Sequence, residues 1–166
     1  DDLQKRYMNL WANIAKRFGN CDIVAFELLN EVVEKENADS WNKLIAKTVD
    51  VIRAITKTTP IIYGGIMWNS ANTVCLLEKP KHDNIIFTFH FYEPLLFTHQ
   101  KAYWVPTIDQ NKDIFYPDSM EKYKEESAKI GLQGDAVVNS TSQTVEGEFI
   151  ESLIIEAITA ANKAGV

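Results

Sequence analysis

Leu3, Tyr7, Leu10, Trp11, Ile14 and Phe18 recur at three- and four-residue spacings, with Lys5, Arg6, Lys16 and Arg17 between them. That period predicts an amphipathic helix that Gly19 ends. The pattern then changes. Ile23-Val24-Ala25-Phe26-Glu27-Leu28-Leu29 is a short apolar run between Gly19-Asn20 and Asn30-Glu31, which reads as a buried strand with a carboxylate at its C-terminal end. Polar residues at 34–39 form a loop, and Ser40 is placed to N-cap a second helix with Leu44, Ile45, Thr48, Val49, Ile52 and Ile55 on its inner face. Pro60 marks the end of that helix.

Residues 61–67 read as a second buried strand, in which Gly64-Gly65 permits a close backbone approach, and it runs into Trp68-Asn69-Ser70. A short helical stretch at 74–78 leads to a third strand, Ile85-Ile86-Phe87-Thr88-Phe89-His90-Phe91-Tyr92, which ends on an imidazole and a phenol. An aromatic loop follows Pro94, and then a long stretch of mixed polarity reaches Glu146, with 119–130 as its helical part. A connection of that length is usually functional, often a lid. The last helix, at 148–163, buries Phe149, Leu153, Ile154, Ala157 and Ile158, and Gly165 caps it. Strands separated by helical crossovers give an α/β chain with a parallel βα series. Three strands cannot close a barrel, because an eight-stranded one takes about 250 residues.

The chain has 166 residues, of which 46% are hydrophobic and 24% charged, which excludes disordered and collagen-like classes and fits one domain over 1–166. A formal charge of −6 and a pI near 5.1 argue against nucleic acid as partner, since phosphate binding draws on clustered Lys and Arg. No apolar stretch reaches the roughly 18 to 20 residues that cross a membrane. Cys21 and Cys75 have neither disulfide-like nor zinc-like spacing and read as buried free thiols. The opening Asp1-Asp2-Leu3-Gln4 carries neither an initiator Met nor a basic leader, so the chain reads as cut from a longer one and leaves its compartment open.

Alternation along a strand puts Glu27, Leu29 and Glu31 on one face and Phe26 and Leu28 on the other; likewise Thr88, His90 and Tyr92 oppose Phe87, Phe89 and Phe91. Two strands that carry acid/base groups at matching ends point to one shared site. A carboxyl group set among aromatic and apolar neighbours has its charged form disfavoured, which suits a general acid, and His90 and Tyr92 are placed to hydrogen-bond it or a substrate hydroxyl. Glu27, at mid-strand, reads as a buried structural acceptor. Trp68, Tyr103, Trp104 and Phe97 offer flat faces for stacking or for core packing. His82, His90 and His99 show no ligand spacing, and no metal is expected.

At these residues the chain resembles glycoside hydrolase family 5, the (β/α)8 retaining β-glycanases that include many endo-1,4-β-glucanases. Val24 to Glu31 resembles the family's fourth strand, whose terminal Asn-Glu supplies the acid/base. Phe89-His90-Phe91-Tyr92-Glu93-Pro94 resembles its sixth strand, and Phe97-Thr98-His99-Gln100 with Trp104 resembles the following loop in a clostridial-type cellulase subgroup. The resemblance implies a partial TIM barrel of about strands four to six, with Glu31 as general acid/base, Asn30 on a sugar 2-hydroxyl, and His90 and Tyr92 as organisers of substrate and nucleophile. Many members continue Asn-Glu with Pro, where Val32 stands here.

The family's nucleophile lies on its seventh strand in a Gly-Glu-Phe-Gly-like turn. Gly147-Glu148-Phe149 mimics it, yet polar Ser140 to Thr144 precede it and Ile150 replaces the final Gly, so Glu148 reads as a first-turn helix residue instead. The nucleophile is expected beyond Val166. The implied activity is retaining hydrolysis of β-1,4-glucan without any metal or organic cofactor, and the 166 residues alone are expected to be inactive. Two rivals stand beside it: a non-catalytic carbohydrate-binding surface of Trp68, Tyr103 and Trp104, and the same mechanism acting on mannan, xyloglucan or mixed-linkage glucan. Unpaired edge strands are expected to favour self-association or pairing with the missing barrel strands.

Overall fold

β1 (Phe26–Glu27), β2 (Ile61–Gly64) and β3 (Ile85–Thr88) form a parallel sheet in the order β1-β2-β3. Phe26 lies opposite Ile61, and Ile61 opposite Ile85, so one register line crosses all three strands. This computed structural model describes residues 1–132 and 135–166, and the chain divides into two units, Asp1–His90 with Glu156–Val166, and Phe91–Ile155.

In the first unit, α1 (Asp2–Phe18) precedes β1, α2 (Ala38–Arg53) carries the chain from β1 to β2, and a 3-10 helix, Ala71–Leu76, lies between β2 and β3. Trp11 and Ala15 of α1 and Trp41, Ile45, Val49 and Ile52 of α2 pack on Phe26, Leu28, Ile61, Tyr63 and Ile85. These sheet residues share one face, as alternation requires. The opposite face leaves Glu27 exposed, with Leu29 41% and Ile86 46% exposed. Glu27 is therefore a solvent-facing carboxylate rather than the expected buried acceptor.

Buried polar groups tie the N-terminal ends of the strands together. The Arg53 guanidinium, 3% exposed, donates to the carbonyls of Thr59 (2.9 Å), Asp83 (2.9 Å) and Asn84 (3.1 Å). Thr56 and Thr59 donate from their hydroxyls to the Gly19 carbonyl at 2.9 and 3.0 Å. Gly19 does end α1, but in right-handed geometry, with φ −65°. A Cβ there would fall 2.5 Å from the Ala15 carbonyl and 2.9 Å from Thr56 Cβ, so close packing is what requires glycine.

Several apolar assignments change. The buried line of α1 is the narrow i, i+4 series Trp11 and Ala15 with half-buried Tyr7, while Leu3, Leu10 and Phe18 face solvent. Ile23 is 94% exposed, because regular pairing of β1 begins only at Phe26 and runs along β2 alone. α2 starts at Ala38 with Asn37 at its N-cap; Ser40 sits inside the first turn and donates to the Asn37 carbonyl at 2.9 Å. Ile55 lies beyond the helix and is exposed. Cys21 and Cys75 are both free, as expected, but exposed rather than buried.

The second unit has its own core: Leu96 of α3 (Leu95–Thr98), Met120 and Tyr123 of α4 (Met120–Lys129), Val137 of α5 (Ala136–Asn139), Val145, and Phe149 of α6 (Gly147–Ala164). The stretch expected as a long loop with one helix is thus a packed body. Ser119 caps α4 by accepting from the Lys122 amide, and Gly165, at φ +81°, follows the end of α6. Ile158 is exposed, against expectation, whereas Ala157 is buried.

The close approach read into Gly64-Gly65 is present. A Cβ on Gly64 would lie 1.8 Å from Asn69 Oδ1, and one on Gly65 would lie 2.2 Å from Thr73 Oγ1. Gly64→Ala is expected to destabilise the chain by about 1–3 kcal/mol, the range for overpacking. Gly147→Ala, with nothing within 4 Å of the added atom, is expected to be neutral or slightly stabilising. Urea unfolding followed by tryptophan fluorescence measures both.

Candidate active site

β2 ends in a turn that ordinary residues rarely make. Met67, Trp68 and Asn69 have φ of 50°, 57° and 57°, three successive left-handed residues of which only Asn tolerates that region readily. Hydrogen bonds hold the turn in place. Asn69 is 1% exposed; its Oδ1 accepts from the Gly65 amide at 3.0 Å, in the space that the absent Cβ of Gly64 leaves. The Trp68 amide donates to the Val32 carbonyl at 3.1 Å, and the His90 amide donates to the Asn69 carbonyl at 2.8 Å. One turn therefore fixes the backbone just after Glu31 and the backbone of His90.

The result is a contact between the C-terminal ends of β1 and β3. His90 Nδ1 and Glu31 Oε1 lie 2.8 Å apart, with both side chains about three-quarters buried, at 22% and 26% exposure. α1 adds a further support, since the Tyr7 hydroxyl donates to the Leu28 carbonyl. Asn30 is exposed beside Glu31, and Trp68 is 55% exposed, presenting much of its ring to solvent. A carboxyl group oriented by an imidazole yet still open to solvent can exchange a proton with a bound molecule.

The other candidates belong to the second unit. Tyr92 packs against His99 (ring centroids 5.3 Å apart), His99 against Trp104 (6.4 Å), and Trp104 against Tyr103 (5.0 Å), all nearly edge to face. Tyr103 is 87% and Trp104 65% exposed, so their surfaces are not spent on a core. Phe97 instead packs on Tyr116 and the second core. Glu148 stands exposed in the first turn of α6. Among the described residues no three His, Cys, Asp or Glu side chains are grouped to hold a metal.

Three residues escaped the sequence reading. Asn69 gave only the weak signal of an Asn after a Gly-Gly strand. Buried Asp135 and half-buried Glu93 form a carboxyl pair in the second unit; Glu93 stood inside a quoted motif, but its partner lay in a stretch without periodicity. Burial and the neighbouring Asp135 carboxyl push the Glu93 carboxyl up to about 7.

Comparison with known proteins identifies the family of the chain. The chain is 41% identical over 124 residues to Endoglucanase C of Acetivibrio thermocellus, covering 74% of this chain and 36% of that protein. It is 39% identical over 128 residues to Cellodextrinase A of Ruminococcus flavefaciens, covering 75% and 38%. It thus spans little more than a third of the length of these curated relatives. Among solved structures, Thermotoga maritima Cel5A in complex with cellobiose superposes with a TM-score of 0.63 at 33% identity, over 78% of this chain and 44% of that one. The same protein in complex with mannotriose gives 0.62 at 32%, over 78% and 44%. The parallel strands and their helices are accordingly part of a (β/α)8 barrel. Residues 1–149 match the cellulase family, glycosyl hydrolase family 5, and the chain belongs to it.

Proposed function

We propose that this chain supplies the acid/base half of a retaining glycosidase acting on β-1,4-glucan, with Glu31 as the proton donor. The observation that carries the reading is the Glu31–His90 contact at the C-terminal ends of parallel strands, where barrels of this kind expose their chemistry. Membership of the family and the endoglucanase names of its relatives support the substrate class.

In that reading the Glu31 carboxyl protonates the glycosidic oxygen while a second carboxylate attacks the anomeric carbon from the opposite face. Glu31, now ionised, then takes a proton from the water that releases the sugar. His90 holds the Glu31 carboxyl in one orientation, and Asn30, exposed beside it, meets the sugar 2-hydroxyl. The two carboxyl groups must stand about 5 to 5.5 Å apart. Glu148, on an exposed helical turn, is not given the nucleophile's part; segments of the kind the relatives carry beyond this stretch supply it. Trp68 in the first unit, and separately Tyr92, Tyr103 and Trp104 in the second, each offer exposed ring faces for stacking on sugar rings. Because Cel5A was solved with both cellobiose and mannotriose, a mannan is the second substrate reading.

In a barrel completed with the flanking segments of Endoglucanase C, Glu31→Gln is expected to lower turnover of unactivated glucan by about 10²–10⁴-fold. The loss in kcat/KM should be much smaller on a dinitrophenyl cellobioside, whose leaving group needs no proton, although the second step still lacks its base; near-normal glucan turnover would refute the assignment. The 166 residues alone are expected to release no sugar, and cleavage abolished by Glu148→Gln would restore Glu148 as nucleophile. Imidazole ¹⁵N spectra check the pairing itself: Glu31→Gln should move the His90 signals and leave those of His82 and His99 in place.

A further inference from the structure

The most unusual chemistry outside the Glu31 site is a pair of carboxyl groups inside the second unit. Asp135 is 1% exposed, and Glu93 Oε2 is sealed from solvent with no conventional donor facing it among the described residues. The two side chains meet each other. Two carboxylates in contact cannot both be charged without strong repulsion, whereas a carboxyl and a carboxylate can share a hydrogen bond.

The surroundings hold the pair at the root of the aromatic cluster. Glu93 accepts from the Leu95 amide, and Asp135 accepts from the Leu96 amide, so both carboxyl groups grip the first residues of α3. Asp135 also accepts from the Val137 amide at the start of α5 (3.3 Å) and from the Ser127 hydroxyl of α4 (3.3 Å). At the far end of α3, the Thr98 hydroxyl donates to the Tyr92 carbonyl at 2.6 Å and meets His99 Nδ1 at 2.9 Å. His99 is the ring that Tyr92 and Trp104 both pack against. From α4 the Tyr123 hydroxyl also feels Asp135, and neither Glu93 nor Asp135 takes part in an ion pair with Lys, Arg or His among the described residues.

We propose that Glu93 and Asp135 share one proton, and that this pair positions α3 and through it the Tyr92–His99–Trp104–Tyr103 platform on which sugar rings stack. The platform's role in sugar binding rests on the function proposed above; the proton sharing does not. With one proton the pair closes and α3 is fixed from Tyr92 to His99. Loss of that proton sets two charges against each other at the base of α3, and the platform loses its fixed geometry. Burial and the Asp135 carboxyl place the loss near pH 7, far above an ordinary glutamate. Glu93 and Asp135 are positioning residues here, since neither touches the sugar.

Three measurements on the full chain test this. With ¹³C-carboxyl-labelled glutamate, one signal should titrate near neutrality and return toward the ordinary glutamate range in Asp135→Asn; titration of every glutamate in the ordinary range overturns the proposal. Tryptophan fluorescence should show a transition at the same midpoint that vanishes in Glu93→Gln, whose amide donates to Asp135 at every pH. A transition that survives in Glu93→Gln and disappears in His99→Gln assigns the effect to His99 and overturns the pair. The dissociation constant for cellotetraose should rise about tenfold between pH 5.5 and pH 8.5 in the native chain and stay flat in Glu93→Gln. If no oligosaccharide binds at any pH, the stacking reading fails, while the carboxyl and fluorescence titrations still decide the shared proton.

Discussion

Asn69 fills the space that Gly64 lacks a side chain to occupy, and the rest of the Glu31 site depends on that fit. The amide side chain takes the Gly65 N–H at 3.0 Å, which locks the turn after β2 into three successive left-handed residues. Met67 and Trp68 each cost about 1–2 kcal/mol in this region, so the conformation persists only because hydrogen bonds over-determine it. Those same bonds do the positioning. The Trp68 amide holds the Val32 carbonyl and the Asn69 carbonyl holds the His90 amide, so the two chain segments that carry acid/base groups are referenced to one rigid turn. The 2.8 Å contact between His90 and Glu31 follows from backbone placement and not from the reach of flexible side chains.

A second constraint acts from below the sheet. Arg53, Thr56 and Thr59 satisfy carbonyls at the N-terminal ends of the strands and at the end of α1, which fixes how α1 and α2 lie on the sheet face. Phe26 and Leu28 are then buried against α1 and α2, and alternation turns Glu27 and Leu29 to the opposite, open face. The division of labour is the one expected of a barrel strand: apolar residues face the helices, and polar chemistry collects at the strand ends.

The elements were legible wherever a periodic pattern ran for several turns. α1, α2 and α6 declared themselves by their spacing, and alternation correctly grouped Phe26 and Leu28 on the face opposite Glu27 and Leu29. The extent of burial was less legible. Hydrophobicity alone placed Leu3, Leu10, Phe18, Ile23 and Ile158 inside, but α1 buries only a narrow line, β1 pairs only from Phe26, and α6 buries Ala157 and not Ile158, so these side chains remain in solvent. Cys21 and Cys75 were misjudged for the same reason, because apolar neighbours in sequence do not guarantee neighbours in space. The meeting of Glu31 and His90 was legible because both stand at the C-terminal ends of parallel strand runs. The Met67–Trp68–Asn69 turn was not, since Met and Trp carry no preference for left-handed backbone, and the Glu93–Asp135 pair was missed because its members are separated by the whole of the second unit's packing.

The central claim is that Glu31 is the proton donor of a retaining mechanism and not its nucleophile. Azide rescue separates the two roles, because azide replaces water at the glycosyl-enzyme stage when the acid/base is removed but attacks the substrate directly when the nucleophile is removed. The measurement is the configuration of the glycosyl azide formed from an aryl cellobioside by Glu31→Ala, in a barrel completed with Endoglucanase C segments. The account predicts restored turnover and a β-glycosyl azide; an α-glycosyl azide would make Glu31 the nucleophile and contradict it.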